Sequence, residues 1–454
     1  MSQSSQILSV REKIGYSLGD AAANFVFQTM LVFQLSFYTD TFGLTASAAG
    51  TLFLVVRFWD AIFDPIMGVV ADRTKTRWGK FRPWILWTAV PFGVVGVLAF
   101  TTPHFGYHGK LIYAYATYIL LMMVYSANNL PYSALSGVMT SDGIERTSLS
   151  SYRFVSAMIA AFAIQGLAMP MVKLLGGGSD ARGYQLTMGL FSILGVIFFI
   201  ITFLSTRERI QPAPDQKTSI KQDFTDLSKN RAWFAIFALT ILYFIALSLR
   251  GGVMVYYFKY YLHKPDLFSY YNVTGLGATI IGIFLSKPLV TRFGKPATFV
   301  GGLILTSVFM APLLWVPATG VVTAFVLQGL AWFCYGPTVP LLWSMMADVA
   351  DYSEWKNRRR ATGVIFSAIV FGLKAGLGFG GAIGGWLLAS YGYNANAEQS
   401  ETALTGIRLC ASVFPVIPFL LGAACLSFYP INSRMNRQIQ DELDERRRVV
   451  AGTA

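Results

Sequence analysis

The stretch Arg57-Phe58-Trp59-Asp60-Ala61-Ile62-Phe63-Asp64 places one cation and two carboxylates inside an apolar segment, 46–71, that is long enough to cross a lipid bilayer. Residues three, four and seven positions apart lie on one side of a helix, so Arg57, Asp60 and Asp64 face the same neighbour. A charge at the centre of a membrane helix costs about 2.5–3.5 kcal/mol on insertion scales. Three charges within two turns therefore indicate a polar or hydrated interior behind that face.

The composition is that of a polytopic membrane protein. Hydrophobic residues make up 54% of the 454 residues and charged residues only 13%, whereas a soluble domain is about 25% charged. A bilayer core needs about 20 apolar residues per helix, so we predict an all-α fold with twelve transmembrane helices. We place these spans at 14–39, 46–71, 83–102, 111–139, 146–174, 184–206, 232–262, 267–290, 297–316, 321–347, 362–390 and 403–429.

The net charge of +13 is explained by where the basic residues lie. Lysine and arginine cluster in the segments that follow even-numbered spans, and the segments that follow odd-numbered spans hold few of them. By the positive-inside rule, both termini are predicted to be cytoplasmic. We therefore expect no nucleic-acid partner. The lipid bilayer itself is the expected surrounding.

A polar segment at 207–231 separates two halves of six spans each. Arg77-Trp78-Gly79-Lys80 follows the second span, and Arg292-Phe293-Gly294-Lys295 follows the eighth, which indicates a parallel duplication. This organisation resembles the major facilitator architecture, in which substrate binds between the halves. We predict two pseudo-symmetric six-helix bundles at 1–206 and 232–430, the linker 207–231 and a cytoplasmic tail at 431–454.

Five motifs, in one register from about residue 11 to the C-terminal tail, resemble the glycoside-pentoside-hexuronide:cation symporters, the family of melibiose permease. The resemblance implies a sugar symporter, which is not an enzyme, in a bacterial-type cytoplasmic membrane. The motifs are Gly15-Tyr16-Ser17-Leu18-Gly19-Asp20, Arg57 to Asp64, Arg77-Trp78-Gly79-Lys80-Phe81-Arg82-Pro83-Trp84, Asn129-Leu130-Pro131-Tyr132 and Asp348-Val349-Ala350-Asp351-Tyr352-Ser353-Glu354-Trp355.

The resemblance assigns cation coupling to Asp60 and Asp64. Sodium requires several oxygen ligands, whereas a proton requires one carboxylate. Phe63 stands where sodium-coupled relatives have an amide, and Asn129 stands at an acidic position of the fourth span, although Ser126 retains a hydroxyl. We therefore favour H⁺ as the coupling ion. Na⁺ at the same two carboxylates is the alternative, and we expect no cofactor and no other metal.

The resemblance also implies a set of sugar-binding residues. Relatives that transport galactosides have carboxylates at two of these positions and tryptophan at a third, so the identity of the sugar is open. Amides both donate hydrogen bonds to hydroxyl groups and accept them, which favours a glycoside. Three cations in the set make an anionic sugar such as a uronide the alternative. Arginine snorkelling and amide bridges between helices are structural alternatives for single members. The set is Asn24, Arg57, Asn129, Ser133, Arg153 and Lys374.

Two cytoplasmic loops carry opposite charges. We predict that ion pairs between these loops latch the halves during alternating access, while simple topology anchoring is the alternative for the basic residues. The predicted gating residues are Arg77, Lys80, Asp348, Asp351 and Glu354.

Three function classes stay open at this stage. We favour a symporter whose only partners are a small sugar or glycoside and the bilayer, with no obligate protein partner. A membrane glycosyl transferase or hydrolase needs catalytic carboxylates or a metal at the water interface, whereas the acidic pair lies in mid-span. A non-transporting sugar sensor, or a transporter of another solute such as a nucleoside or a drug, is the third class.

Overall fold

The computed structural model describes residues 7–140, 143–209, 230–357 and 362–432, together with 434–436, 438–439, 441–443 and 445. Within these ranges the chain is almost entirely helical and contains no β-strand. Ten of the described helical segments are long and apolar enough to cross a membrane. The helices Val10–Ser36 and Ala46–Arg73 coincide with the first two predicted spans, 14–39 and 46–71, and carry several charges each. The predicted all-helical membrane fold is confirmed.

Four of the first six helices begin at a side-chain cap or at proline. The Ser9, Thr45 and Ser179 hydroxyls accept the free amide hydrogens of three helix N-termini, and Pro83 occupies the first turn of another. A π-helical turn, Phe37–Phe42, extends the first helix and ends at Gly43. These helices are α1 (Val10–Ser36), α2 (Ala46–Arg73), α3 (Arg82–Ala99), α4 (Tyr107–Met139), α5 (Gly143–Gly176) and α6 (Asp180–Ser205).

The remaining helices are more interrupted than the sequence predicts. The predicted eighth span ends at Phe284, the tenth is broken at Gly336-Pro337, and the twelfth is broken at Ser412. Proline has no amide hydrogen to donate to a helix, which accounts for the break in the tenth span. These helices are α7 (Arg231–Tyr256), α8 (Phe268–Phe284), α9 (Ser286–Phe293), α10 (Lys295–Met310), α11 (Val321–Tyr335), α12 (Thr338–Asn357), α13 (Thr362–Ser390), α14 (Glu401–Ala411) and α15 (Val413–Cys425).

The chain divides into two compact units. The first comprises Met1–Pro214, Lys264–Tyr270 and Gly385–Ser400; the second comprises Asp215–His263, Tyr271–Gly384 and Glu401–Ala454. Most of the predicted linker 207–231 and most of the predicted tail 431–454 lie outside the described residues.

The segment Gly385–Ser400 is held in the first unit by hydrogen bonds. Trp386 Nε1 donates to Thr51 Oγ1 at 3.2 Å, and Asn396 Nδ2 donates to the Asp40 carbonyl at 2.5 Å. The end of the helix that finishes at Ser390 therefore contacts α2, and the loop after it contacts the π-helical turn that follows α1.

Helix α1 lies at the centre of the first unit. Tyr16 stacks on Tyr132 of α4 with ring centroids 4.6 Å apart, and each hydroxyl donates to the backbone carbonyl of the other residue. A Cβ at Gly19 would lie 2.5 Å from the Tyr132 ring, so the absence of a side chain at this position leaves room for the ring. Thr202 of α6 donates to the Gly15 carbonyl at 2.8 Å. These contacts fix the rotation of α1 against α4 and α6.

The loop between α2 and α3 is fastened to the end of α6 by Glu208. Its carboxylate accepts the backbone amides of Lys80, Phe81 and Arg82 at 2.7–3.0 Å, at the N-terminus of α3, where the helix dipole favours an anion. Gly79 has φ +108°, and a Cβ there would lie 2.3 Å from the carboxyl carbon. The glycine of the Arg77-Trp78-Gly79-Lys80 motif is therefore required by this contact.

Glu208→Gln should lower the stability of the first unit. The amide retains one acceptor oxygen but turns a donor toward backbone N–H groups, so we expect a loss of about 1–2 kcal/mol and a fall in Tm of a few degrees. Thermal unfolding of the purified protein in detergent measures this fall in Tm. Glu398→Gln, at an exposed position, is the control; equal Tm values for the two variants would contradict the assignment.

Candidate functional site

The acidic face of α2 forms a polar cluster with α4. Asp60 is 1% exposed and accepts a hydrogen bond of 2.9 Å from the Ser126 hydroxyl. Arg57 lies 3.7 Å from the other Asp60 oxygen, one turn earlier on the same helix, and also contacts the Tyr118 hydroxyl. The structure therefore brings Arg57, Asp60 and Ser126 into direct contact.

Asp64 lies one turn beyond Asp60 and is half-buried. Three of the predicted α4 residues fall on a shared face, because Ser126, Asn129 and Ser133 are three and seven positions apart. Asn129 and Ser133 are half-buried there. The neighbouring Asn128 points elsewhere, since it is buried and donates to Thr88 of α3 at 2.8 Å. The two adjacent asparagines therefore have different surroundings.

Arg153 of α5 pairs with a carboxylate that our sequence analysis did not select. Its Nη2 atom lies 3.1 Å from Asp20 Oδ1, and its guanidinium covers the Tyr132 ring at 5.1 Å. Asn24 donates from Nδ2 to the Asp20 carbonyl at 2.8 Å. Asp20 is an isolated carboxylate in an apolar stretch of α1, and that feature was readable from the sequence. Its pairing holds Arg153 inside the unit.

Arg250 of α7 is a second charged residue that our sequence analysis did not select. It is 4% exposed, and within the described residues no carboxylate lies at ion-pair distance from it. Dipoles and an aromatic face stabilise it instead: Arg250 donates to the Ala411 carbonyl, the Tyr271 hydroxyl and Gln328 Oε1 at 2.8–3.1 Å and lies over the Trp332 ring. Since Ala411 ends α14, Arg250 caps the break in the last span.

Lys374 belongs to α13 of the second unit and is half-buried. The glycines around it bring α13 close to α7. A Cβ at Gly376 would lie 2.5 Å from the Ile241 carbonyl, and one at Gly380 would lie 2.5 Å from the Ile245 carbonyl. The glycine-rich run on both sides of Lys374 thus serves the close packing of α13 on α7.

The predicted gating residues fall in both units. In the second unit Asp348 is 5% exposed, pairs with Lys295 at 2.6 Å and accepts from Asn436 at 3.3 Å. Asp351 and Glu354 are half-buried on the same helix, α12.

In the first unit Arg77 is exposed and lies over the Trp78 ring at 4.8 Å, and the backbone of Lys80 is bound by Glu208. Our sequence analysis noted Lys295 only as part of the repeated motif and missed its pairing with Asp348. The latch between loops stays a prediction.

Comparisons with known proteins agree over nearly the whole chain. A family model described as MFS/sugar transport protein matches residues 15–433. The chain is 40% identical to the inner membrane symporter YicJ of Escherichia coli (strain K12), with 98% of this chain and 97% of that protein covered. It is 36% identical to the isoprimeverose transporter of Lactiplantibacillus pentosus, with 95% and 90% covered, and 33% identical to the glucuronide carrier protein homolog of Escherichia coli (strain K12), with 98% and 97% covered.

The similar solved structures support the fold alone. A bacterial homolog of the human lysosomal transporter Spinster matches with a TM-score of 0.67 at 14% identity, with 95% of this chain and 98% of that chain covered. The nucleoside transporter NupG matches with a TM-score of 0.58 at 12% identity, with 92% and 99% covered.

Asp20→Asn should destabilise the protein more when Arg153 is present than in an Arg153→Gln background. With Arg153 present, the substitution leaves a cation without its counter-charge in the membrane interior. We expect a coupling free energy of roughly 1–3 kcal/mol, between the values for exposed and buried pairs. A double-mutant cycle on unfolding in detergent measures it.

The exposed pair Lys173 and Asp266, also in the first unit, is the matched control. Its cycle should give less than about 1 kcal/mol. A coupling for Asp20 and Arg153 no larger than that of the control would show that their ion pair does not contribute to stability.

Proposed function

Because the chain belongs to the family of MFS/sugar transport proteins, we propose that it is a secondary active symporter that moves a glycoside or related sugar together with a cation by alternating access. The observation that carries the proposal is the Arg57, Asp60 and Ser126 cluster, a titratable carboxylate held by a cation and a hydroxyl within a membrane helix. The chain is a transporter rather than an enzyme, as its relatives are.

A neutral sugar fits the first unit better than an anionic one. Arg153 already faces Asp20, so its guanidinium does not offer a full charge to a uronide. Asn24, Asn129 and Ser133 add groups that both donate and accept, as sugar hydroxyls require. The relatives named for isoprimeverose and for glucuronide transport span both substrate classes. We propose that Lys374 contributes from α13.

The surroundings of Asp60 favour a proton as the coupling ion. Sodium requires several oxygens, but here a donating hydroxyl and a guanidinium face the carboxylate, and Phe63 supplies no oxygen. A proton requires only the carboxylate itself. We therefore assign H⁺ binding to Asp60, with Asp64 as its neighbour on the next turn and Na⁺ as the alternative ion.

Protonation of Asp60 links the ion to the sugar. When Oδ2 of Asp60 takes up a proton, the carboxylate loses its charge and its attraction for Arg57. Arg57 is then free to donate to a sugar hydroxyl. By linkage, a bound sugar that holds Arg57 favours the protonated carboxylate equally. This reciprocity couples the flux of sugar to the flux of protons.

The location follows from the same proposal. The chain is a multi-pass membrane protein, and we propose the cytoplasmic membrane with both termini on the cytoplasmic side, from the distribution of lysine and arginine. We propose duplicated six-helix bundles at 1–206 and 232–430, with cytoplasmic loops that carry Arg77, Lys80, Asp348, Asp351 and Glu354 as the gating groups.

Asp60→Asn should abolish uphill uptake while it preserves equilibration of sugar. The amide keeps the hydrogen bond to Ser126 but takes up no proton, so a pH gradient no longer drives accumulation. Purified protein in liposomes, given labelled glycosides and separate proton and sodium gradients, measures it. The wild type should accumulate sugar in response to the pH gradient alone, and Asp60→Asn should show only exchange of labelled for unlabelled sugar.

Asp180→Asn, at the exposed start of α6, is the matched control and should accumulate sugar normally. Accumulation that follows a sodium gradient at fixed pH would overturn the choice of proton. Sugar binding without flux in either gradient would overturn symport altogether.

A further inference from the structure

A hydrogen-bonded row of polar side chains runs along the middle of α1. Asp20, Asn24 and Gln28 are four residues apart and therefore share one face of the helix. Asn24 Nδ2 donates to the Asp20 carbonyl at 2.8 Å, and Gln28 Nε2 donates to Asn24 Oδ1 at 3.3 Å. From Asp20 to Gln28 the row extends about 12 Å along the helix axis.

Helix α5 meets this row at both ends. Arg153 pairs with Asp20 at one end, and Gln165 Nε2 donates to Gln28 Oε1 at 3.4 Å at the other end. One end is therefore an ion pair, and the other is a pair of neutral amides. The two ends offer different chemistry to a ligand that lies along the row.

The amide pair retains unused hydrogen-bonding groups. A primary amide has two N–H donors and an oxygen with two lone pairs. Within the described residues, Gln165 makes one hydrogen bond, which leaves its oxygen and one N–H available. Gln28 and Gln165 are only half-buried. Gln328 gives the contrast of a structural amide, since it is 3% exposed and accepts a bond of 2.8 Å from Arg250.

We propose that Gln28 and Gln165 form a second hydroxyl-binding subsite, which holds the second ring of a two-ring glycoside. This inference rests on the proposed sugar symport. The row is longer than one sugar ring and comparable with two linked rings, and its far end presents neutral groups that both donate and accept. One ring binds beside Asn24 and the Asp20–Arg153 pair, and the other ring binds between the two glutamine amides.

The test compares a disaccharide with the methyl glycoside of its non-reducing ring. Full-length protein in liposomes is assayed with three such pairs: isoprimeverose and methyl α-xyloside, melibiose and methyl α-galactoside, and cellobiose and methyl β-glucoside. Gln165→Met removes one of the two amides at nearly constant volume. It should raise KM for the disaccharide roughly five- to tenfold, the effect of one lost hydrogen bond, and leave KM for the methyl glycoside and the cation-to-sugar ratio unchanged. Gln28→Met also removes the donor to Asn24, so it should raise KM for both sugars, and more for the disaccharide.

Unchanged uptake of the methyl glycoside also shows that Gln165→Met is folded, and this variant decides the test. Gln185→Met is the matched control, because Gln185 is an exposed glutamine of α6 that donates to Thr101; it should change neither KM. An equal change for both sugars, or no change for either, would overturn the subsite. A wild type that carries only the methyl glycosides would overturn the subsite and leave symport standing. A wild type that carries none of the six sugars would overturn the proposed function, and this inference with it.

Discussion

A charge inside a membrane is stable only when the protein supplies its partner, and this constraint organises the first unit. Arg57 on α2 faces Asp60, and Arg153 on α5 faces Asp20 of α1. Each pair removes two full charges from the apolar environment. A bound proton neutralises the carboxylate but not the guanidinium, so it changes the net charge of the pair. The contacts that make the charged helices tolerable in a bilayer are therefore the ones to which we assign the proposed coupling.

The second unit stabilises one of its buried charges, Arg250, without a counter-charge. Arg250 is surrounded by a carbonyl, a hydroxyl, an amide oxygen and an indole ring, none of which titrates near neutral pH. Such a site keeps one charge state and holds α14 at its break. In the same unit, the half-buried Lys295 and the buried Asp348 form a pair of opposite charges. Arg250 is thus better suited to a structural role than to proton-dependent chemistry.

Features within one helix were predictable from the sequence, whereas contacts between helices were predictable only in part. Span positions follow from runs of apolar residues, so the sequence located the helices. The break at Ser412 was readable as well, because Pro415 has no amide hydrogen for the Ala411 carbonyl. The sequence did not show that Arg250 of another helix donates to that carbonyl. Nor did it show that Glu208 binds the amides before α3, since that contact joins residues 126 to 128 positions apart. In both cases the deciding partner lies on another segment of the chain.

The sequence by itself determined the membrane class, the family resemblance and the shared face of Arg57, Asp60 and Asp64, because helical periodicity relates neighbours on one helix without reference to any other. Only the tertiary structure decided which groups meet across helices. Ser126 reaches Asp60 from 66 positions away, and Gln165 reaches Gln28 from 137 positions away. Those meetings depend on the rotation and depth of each helix, which side-chain packing sets: the ring of Tyr132 fits against α1 only because residue 19 is glycine.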